Sequence, residues 1–143
     1  MNRFISILLF SLFLFPSVNA KWIEVARNDN VSYFIDNNKI YYNEQYNAYD
    51  VMVKIVPKKN KLAKKRKEYI ALYKSNEFSR YTHEIDTWQI DVVNNSFRPR
   101  VLTNYAGTQV IHNLDLGEIS WIPAMNGSPN YSIVQAVRKI VGK

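Results

Sequence analysis

Apolar and polar residues alternate with a period of two in the part of the chain that follows position 20. In "VSYFID", the side chains of Val31, Tyr33 and Ile35 share one face, and such alternation is typical of a half-buried β-strand. The preceding stretch "KWIEVARN" also alternates and ends in the turn sequence "NDN", so the two stretches predict a β-hairpin. A third strand, "YNAYDVMVKIV", is expected to stop at Pro57, because proline cannot donate a hydrogen bond to a neighbouring strand.

The spacing of apolar residues becomes helical in the middle of the chain, at about residues 61–75. One stripe of this predicted helix is formed by Leu62, Tyr69, Ile70 and Tyr73. Arg66 falls within the stripe, so its guanidinium group must reach solvent or find a partner. Lysines before the helix would crowd the positive end of its dipole. We therefore expect the helix to begin near Asn60 or Leu62, after a frayed and exposed lead-in.

The second half of the chain returns to a period of two and then ends in another helix. In "SRYTHEIDTWQIDVV" the apolar residues change face near Asp86-Thr87, which predicts a β-bulge or a strong twist there. Pro99 in the following "FRPRVLTNY" strand marks a sheet edge or a bulge. A C-terminal helix over about residues 129–141 is predicted with Ser128 as its N-cap and Gly142 as its end. The expected fold class is α+β, an antiparallel sheet of about five to six strands with these two helices.

The first 20 residues have the pattern of a secretory signal peptide. A positive residue, Arg3, precedes the apolar run from Phe4 to Phe15, and "VNA" at positions 18–20 suits signal peptidase. That run is too short to span a bilayer of about 30 Å, so no integral membrane segment is expected after cleavage. The remainder, residues 21–143, has the length of a single domain. The protein is therefore expected to be exported to the periplasm or the cell surface.

The chain of 143 residues carries a net charge of +7 and contains no cysteine, so its core must hold the fold without disulfides. Much of the positive charge lies in "KKNKLAKKRK", residues 58–67. Such a run could be a nuclear address, a nucleic-acid clamp, a membrane-surface patch or a solvated helix face. Export excludes a nuclear address. Nucleic-acid binding is not expected, because the tyrosines lie on the opposite stripe of the helix rather than among the lysines.

Two interpretations of the basic segment therefore stay open: a solvated helix face, or a contact with an anionic polymer or lipid surface. The candidate contact residues are Lys58, Lys59, Lys61, Lys64, Lys65 and Lys67.

No catalytic motif is found in the chain. The spacing of His83 and His112 matches no zinc-ligand pattern, and the carboxylates of Glu84 and Asp86 are expected to lie on a solvent-exposed strand face rather than in a catalytic cleft. We therefore expect a non-enzymatic protein with no catalytic residues, no metal site and no cofactor.

Six motifs in order, from "KWIEVARND" and "YFIDNNKI" through "YDVMVKIV", "HEIDTWQID" and "FRPRVLTNYAG" to "WIPAMNGSPNYSIVQAVRKIV", give the mature chain a resemblance to the surface-adhesin E-like family of small exported bacterial proteins. The resemblance implies an antiparallel sheet with packed helices and a binding role, with host matrix or plasma proteins as partners. It also implies that Val92 and either Ile140 or Val141 stand where the family has a cysteine pair. A homodimer is left open.

Overall fold

The fold was obtained as a computed structural model that describes residues 20–143. The predicted signal peptide lies, apart from Ala20, outside the described residues. Six strands follow one another in chain order across one antiparallel sheet, and a short seventh strand pairs with the fifth. The strands are β1 (Trp22–Arg27), β2 (Val31–Asn43), β3 (Ala48–Pro57), β4 (His83–Asp91), β5 (Ser96–Ala106), β6 (Gln109–Asp115) and β7 (Ile122–Pro123). Two α-helices complete the fold, α1 (Leu62–Tyr73) and α2 (Pro129–Val141), with a short 3-10 helix at Asn76–Arg80.

The predicted α+β class is confirmed, and so is the placement of both α-helices. Strands β1 to β3 and β4 to β6 join as hairpins, α1 and the 3-10 helix are inserted between β3 and β4, and a loop leads from β6 to β7, which pairs with β5. The 3-10 helix was not predicted, because the sequence "SNEFSR" has no apolar periodicity. Its start is capped by the side chain of Ser75, which accepts a hydrogen bond from the Glu77 backbone N–H.

The main core lies between α2 and one face of the sheet. Apolar side chains of β2, β3, β4 and β5 meet three buried residues of the helix, Ile133, Val134 and Val137. Ser128 caps this helix as predicted, since its Oγ accepts a hydrogen bond from the Tyr131 N–H, and Gly142 closes it with φ 75°, a left-handed conformation that suits glycine. The helix is thus fixed at both ends over the sheet.

Arg138 ties the C-terminal half of α2 to the turn between β4 and β5. Its Nε donates to the backbone oxygen of Val92 at 3.0 Å, and its Nη1 donates to Gln135 Oε1 at 2.7 Å. A third contact, from Nη2 to Asn95 Oδ1, reaches the turn itself. Arg138 thereby links the helix to the sheet.

A bulge is present near Asp86-Thr87, where a bulge or a strong twist is predicted, but its extra residue lies in β5 rather than in β4. The register shifts between Thr87 and Trp88, and Trp88 pairs with Pro99 at that point. The prediction that Pro99 marks an edge or a bulge is therefore confirmed. Because Thr87 pairs with Val101, Arg100 is the residue of β5 left without a partner on β4.

Candidate functional site

Helix α1 is attached to the sheet by a cluster of aromatic rings. This aromatic cluster consists of Tyr69, Tyr73, Phe78, Tyr81 and His112. Ring centroids lie 4.8 Å apart for Tyr73 and Phe78, which stack, and 5.1 Å apart for Tyr69 and Tyr81. No residue of α1 is fully buried, and the aromatic cluster is separate from the main core. The helix therefore lies at the periphery of the fold.

Arg66, the basic residue predicted to need a partner, has found one. Its Nε donates a hydrogen bond of 2.8 Å to the backbone oxygen of Tyr81. The guanidinium group thus links α1 to the chain just before β4. This contact gives Arg66 a structural role and distinguishes it from the lysines around it.

Three of the six predicted contact lysines are brought together in one cleft. Lys61, Lys64 and Lys65 stand at helical spacing with Glu68, which places all four side chains on the same side of the helix. The cleft has a volume of about 130 Å³ and is lined by Asn30, Val31, Pro57, Lys61, Lys64, Lys65 and Glu68. We call it the basic cleft. Lys58 and Lys59 precede the helix, and Lys67 does not line the cleft.

The basic cleft carries an excess of positive charge, because three lysines and one carboxylate line it. Helix α1 begins with Lys61 as its N-cap, without a side-chain capping bond and without an acid in its first turn. The positive end of the helix dipole therefore adds to the lysine charges. Within residues 20–143, none of the six lysines forms an ion pair. Glu68 is the one carboxylate in the cleft lining.

The start of the basic segment is more ordered than the sequence indicated. The backbone N–H of Lys58 donates to the Asn30 oxygen at 2.8 Å, and that of Lys61 donates to the Lys58 oxygen at 2.8 Å. The expectation of a frayed lead-in is therefore wrong, because these bonds hold the segment as a turn against the β1–β2 hairpin. The same turn forms one side of the basic cleft.

A buried carboxyl group lies beneath α1, contrary to the expected solvent-exposed strand face. Asp86 is 2% exposed, and the indole Nε1 of Trp88 donates to its Oδ2 at 3.3 Å. Burial, followed by the nearby charge of Glu84, raises the pKa of Asp86 to about 9. The prediction of an exposed pair is wrong for Asp86. Its spacing two residues from the core residue Trp88 was the available signal, since alternate residues of a strand share a face.

The tyrosines of the aromatic cluster are neutral hydrogen-bond donors. Burial first, and then the Glu84 charge, raises the pKa of Tyr69, while burial followed by the neighbouring Tyr69 raises that of Tyr81. The Tyr69 hydroxyl donates to Glu84 Oε2 at 3.4 Å. This bond connects the helix that carries the basic cleft to the strand that carries the buried carboxyl group.

The two histidines are half-buried and lie in different surroundings. His83 stacks on Tyr105 with ring centroids 5.0 Å apart, and burial, followed by the charge of Lys54, lowers its pKa. His112 belongs to the aromatic cluster, 4.3 Å from the ring of Tyr73. Across the described range 20–143, no three acidic or histidine side chains are grouped so as to hold a metal ion.

No α-helix in the described part of the chain has the length and apolar character needed to cross a membrane. A comparison with known protein families, with curated proteins and with solved structures finds no match to this chain.

Proposed function

We propose that this protein is a non-enzymatic binding module of the cell envelope or cell surface that contacts an anionic polymer or lipid surface through the basic cleft. The observation that carries the proposal is the convergence of Lys61, Lys64 and Lys65 on one concave surface at the uncapped start of α1. Positive charge lining a concave surface focuses the electric field and raises the local concentration of anions.

The helix is held to the sheet by the aromatic cluster and by the Arg66 bond to Tyr81. Among the three lysines of the basic cleft, the Lys65 Nζ lies 4.6 Å from the centre of the Tyr69 ring, a contact within the same helix. A purely solvated face would not require three like charges to converge, since repulsion between them costs free energy. An anionic partner removes that repulsion, which favours a contact surface over a solvated face.

The resemblance to the surface-adhesin E-like family supports the exported binding role. At the positions where the resemblance implies a cysteine pair, Val92 is buried in the main core and Val141 packs against that core, whereas Ile140 is 38% exposed. An apolar Val92–Val141 replacement is compatible with the packing. Adhesion to host matrix or plasma proteins, export and homodimer formation stay predictions. Antibody or protease labelling of intact cells tests the adhesin version, and a protein inaccessible on the cell surface contradicts it.

The basic cleft is tested by the triple substitution Lys61→Gln, Lys64→Gln and Lys65→Gln. Each lysine near an anionic membrane surface contributes about 1 kcal/mol, so the triple variant should bind anionic vesicles about 100-fold more weakly than the unmodified chain. It should also leave a heparin column at lower salt, because fewer counterions are released on binding. Co-sedimentation with vesicles that contain anionic lipid measures the first effect. Arg66 is kept unchanged because of its bond to Tyr81.

The matched control changes three lysines outside the basic segment, as Lys39→Gln, Lys139→Gln and Lys143→Gln. It lowers the net charge by the same amount and should reduce binding far less than the cleft variant. Equal losses in the two variants would mean that net charge, not the basic cleft, governs binding. Unchanged binding in the cleft variant would contradict the proposed function.

A further inference from the structure

Two arginines of β5 lie side by side on the sheet face opposite α2. Arg98 pairs with Gln89 on β4, and the neighbouring pair Phe97 and Ile90 points into the main core. Since alternate residues of a strand point to opposite faces, Arg98 and Gln89 lie on the other face. Arg100 is the extra residue of the bulge and comes close to the same acceptor.

Both guanidinium groups use one glutamine oxygen. Arg98 Nε donates to Gln89 Oε1 at 2.8 Å, and Arg100 Nη1 donates to the same oxygen at 3.1 Å. The ring of Tyr46 lies over both, with centroid distances of 4.8 Å to Arg98 Cζ and 5.5 Å to Arg100 Cζ. Two like charges are therefore held together by a neutral acceptor and an aromatic ring.

This pair has buried donors with nothing to receive their hydrogens. Arg98 is 4% exposed, yet its Nη2 makes no hydrogen bond, and the Nε of Arg100 is likewise buried without an acceptor. A buried guanidinium without full pairing is costly. Both orphan donors belong to arginines that share the Gln89 oxygen, so two unsatisfied donors lie on neighbouring cationic side chains.

The loop between β6 and β7 partly fills the space beside the Arg98 guanidinium group. The segment between β6 and β7 passes over Arg98, whose Nη1 donates to the Ile119 oxygen at 3.0 Å, while Trp121 covers the guanidinium at 4.4 Å. The carboxylate of Glu118 approaches Arg98 Nη2 to 3.7 Å, beyond hydrogen-bond distance, and its side chain is 62% exposed. One exposed carboxylate thus approaches the Arg98 guanidinium group without hydrogen-bonding to it.

We propose that Arg98 and Arg100 form a binding site for the carboxylate group of an external ligand, with Glu118 as a weak internal occupant that the ligand displaces. The planar fork of a guanidinium group matches the two oxygens of a carboxylate. The group that approaches Arg98 within the chain, the Glu118 side chain, is itself a carboxylate. Tyr46 and Trp121 border the site and contact the part of the ligand next to its carboxylate. The site is separate from the basic cleft and does not depend on it.

The test follows the arginine Nε–H signals of the ¹⁵N-labelled mature chain by NMR. The protein is titrated with glucuronate and, separately, with N-acetylglutamate amide at constant ionic strength, with chloride as the control anion. The signals of Arg98 and Arg100 should shift saturably with at least one carboxylate and not with chloride, and the tighter probe identifies a sugar acid or an acidic side chain as the source. The absence of a saturable shift with both carboxylates overturns the proposal.

Glu118→Gln provides the decisive variant, because Glu118 is exposed and its replacement leaves the core untouched. Removing an exposed carboxylate competitor should tighten binding about threefold, whereas Glu77→Gln, an equal charge change at another exposed position, should not. Arg100→Lys should weaken binding about tenfold, since lysine lacks the planar fork. If Glu118→Gln binds the carboxylate probe equally well or more weakly, the proposal that the ligand displaces Glu118 is overturned. The cleft variant Lys61→Gln, Lys64→Gln, Lys65→Gln should bind carboxylate normally, so the two proposals fail separately.

Discussion

Replacing Asp86 with asparagine is expected to stabilise the protein at pH 8 by roughly 2 to 4 kcal/mol. Asp86 is buried beneath α1, and burial together with the Glu84 charge raises its pKa to about 9. The folded protein therefore holds this carboxyl group protonated at neutral pH. Asparagine is neutral at every pH, keeps an oxygen for the Trp88 indole, and has an N–H that replaces the O–H of the acid.

The contribution of Asp86 to the stability of the protein depends on pH. In the unfolded chain Asp86 has the ordinary pKa near 3.8, so at neutral pH folding must take up a proton. The contribution of Asp86 is therefore fully favourable below about pH 4 and is lost progressively as the pH rises toward about 9. Asp86→Asn should remove this loss and flatten the curve of stability against pH.

Urea denaturation at a series of pH values between 4 and 9 measures both effects. Asp29→Asn, at an exposed position, is the matched control and should follow the unmodified protein. A variant Asp86→Asn that is less stable than the unmodified chain at pH 8 would show that Asp86 is folded in its ionised form.

Replacing Phe78 with alanine is expected to release α1 while the rest of the sheet stays folded. Phe78 is 1% exposed and lies in the centre of the aromatic cluster, with ring centroids 4.8 Å from Tyr73 and 5.4 Å from Tyr69. Removal of a buried phenylalanine ring costs about 3 kcal/mol or more. The lost stability should be confined to α1, because Phe78 does not belong to the main core.

Amide hydrogen exchange distinguishes local from global loss. In Phe78→Ala the amides of α1 should exchange about 100-fold faster, whereas those of β3 and β4 should change much less. Leu72→Ala is the control, because Leu72 is on the same helix but 67% exposed, and it should alter stability by less than about 0.5 kcal/mol. Unchanged exchange in α1 of Phe78→Ala would mean that Arg66 and the Tyr69–Glu84 bond suffice to hold the helix. Vesicle binding by Phe78→Ala should weaken as well, because a released α1 no longer forms the basic cleft.

The regular elements follow from the sequence because their signals are local. Alternation in β2 and β3, helical spacing in α1, and the Ser128 and Gly142 caps of α2 each depend on residues a few positions apart. The bulge near Asp86-Thr87 was predicted from an apparent change of face before Trp88, but Asp86 and Trp88 share a face and the extra residue, Arg100, belongs to β5. The 3-10 helix was missed because five residues carry no periodicity.

The sequence predicted which residues of the candidate site are basic, but not which of them lie together in space. The sequence identified six lysines, whereas the structure selects Lys61, Lys64 and Lys65 by closing a cleft between α1 and the β1–β2 turn. Arg66 was correctly separated from them by its place on the apolar stripe. The backbone bond from Lys58 to Asn30 that builds the cleft wall joins residues 28 positions apart, and no periodicity in the sequence reports such a contact.

By itself, the sequence determined the α+β class, both α-helices and the basic character of residues 58–67. These properties arise from side-chain spacing, capping and charge, which act within a few residues. Only the tertiary structure decided that Asp86 is buried, which raises its pKa, that three lysines converge on one cleft, and that Arg98 and Arg100 share Gln89. Each of these depends on desolvation and on contacts between distant segments, because the pKa of a carboxyl group and the pairing of a guanidinium group are set by what surrounds them in space.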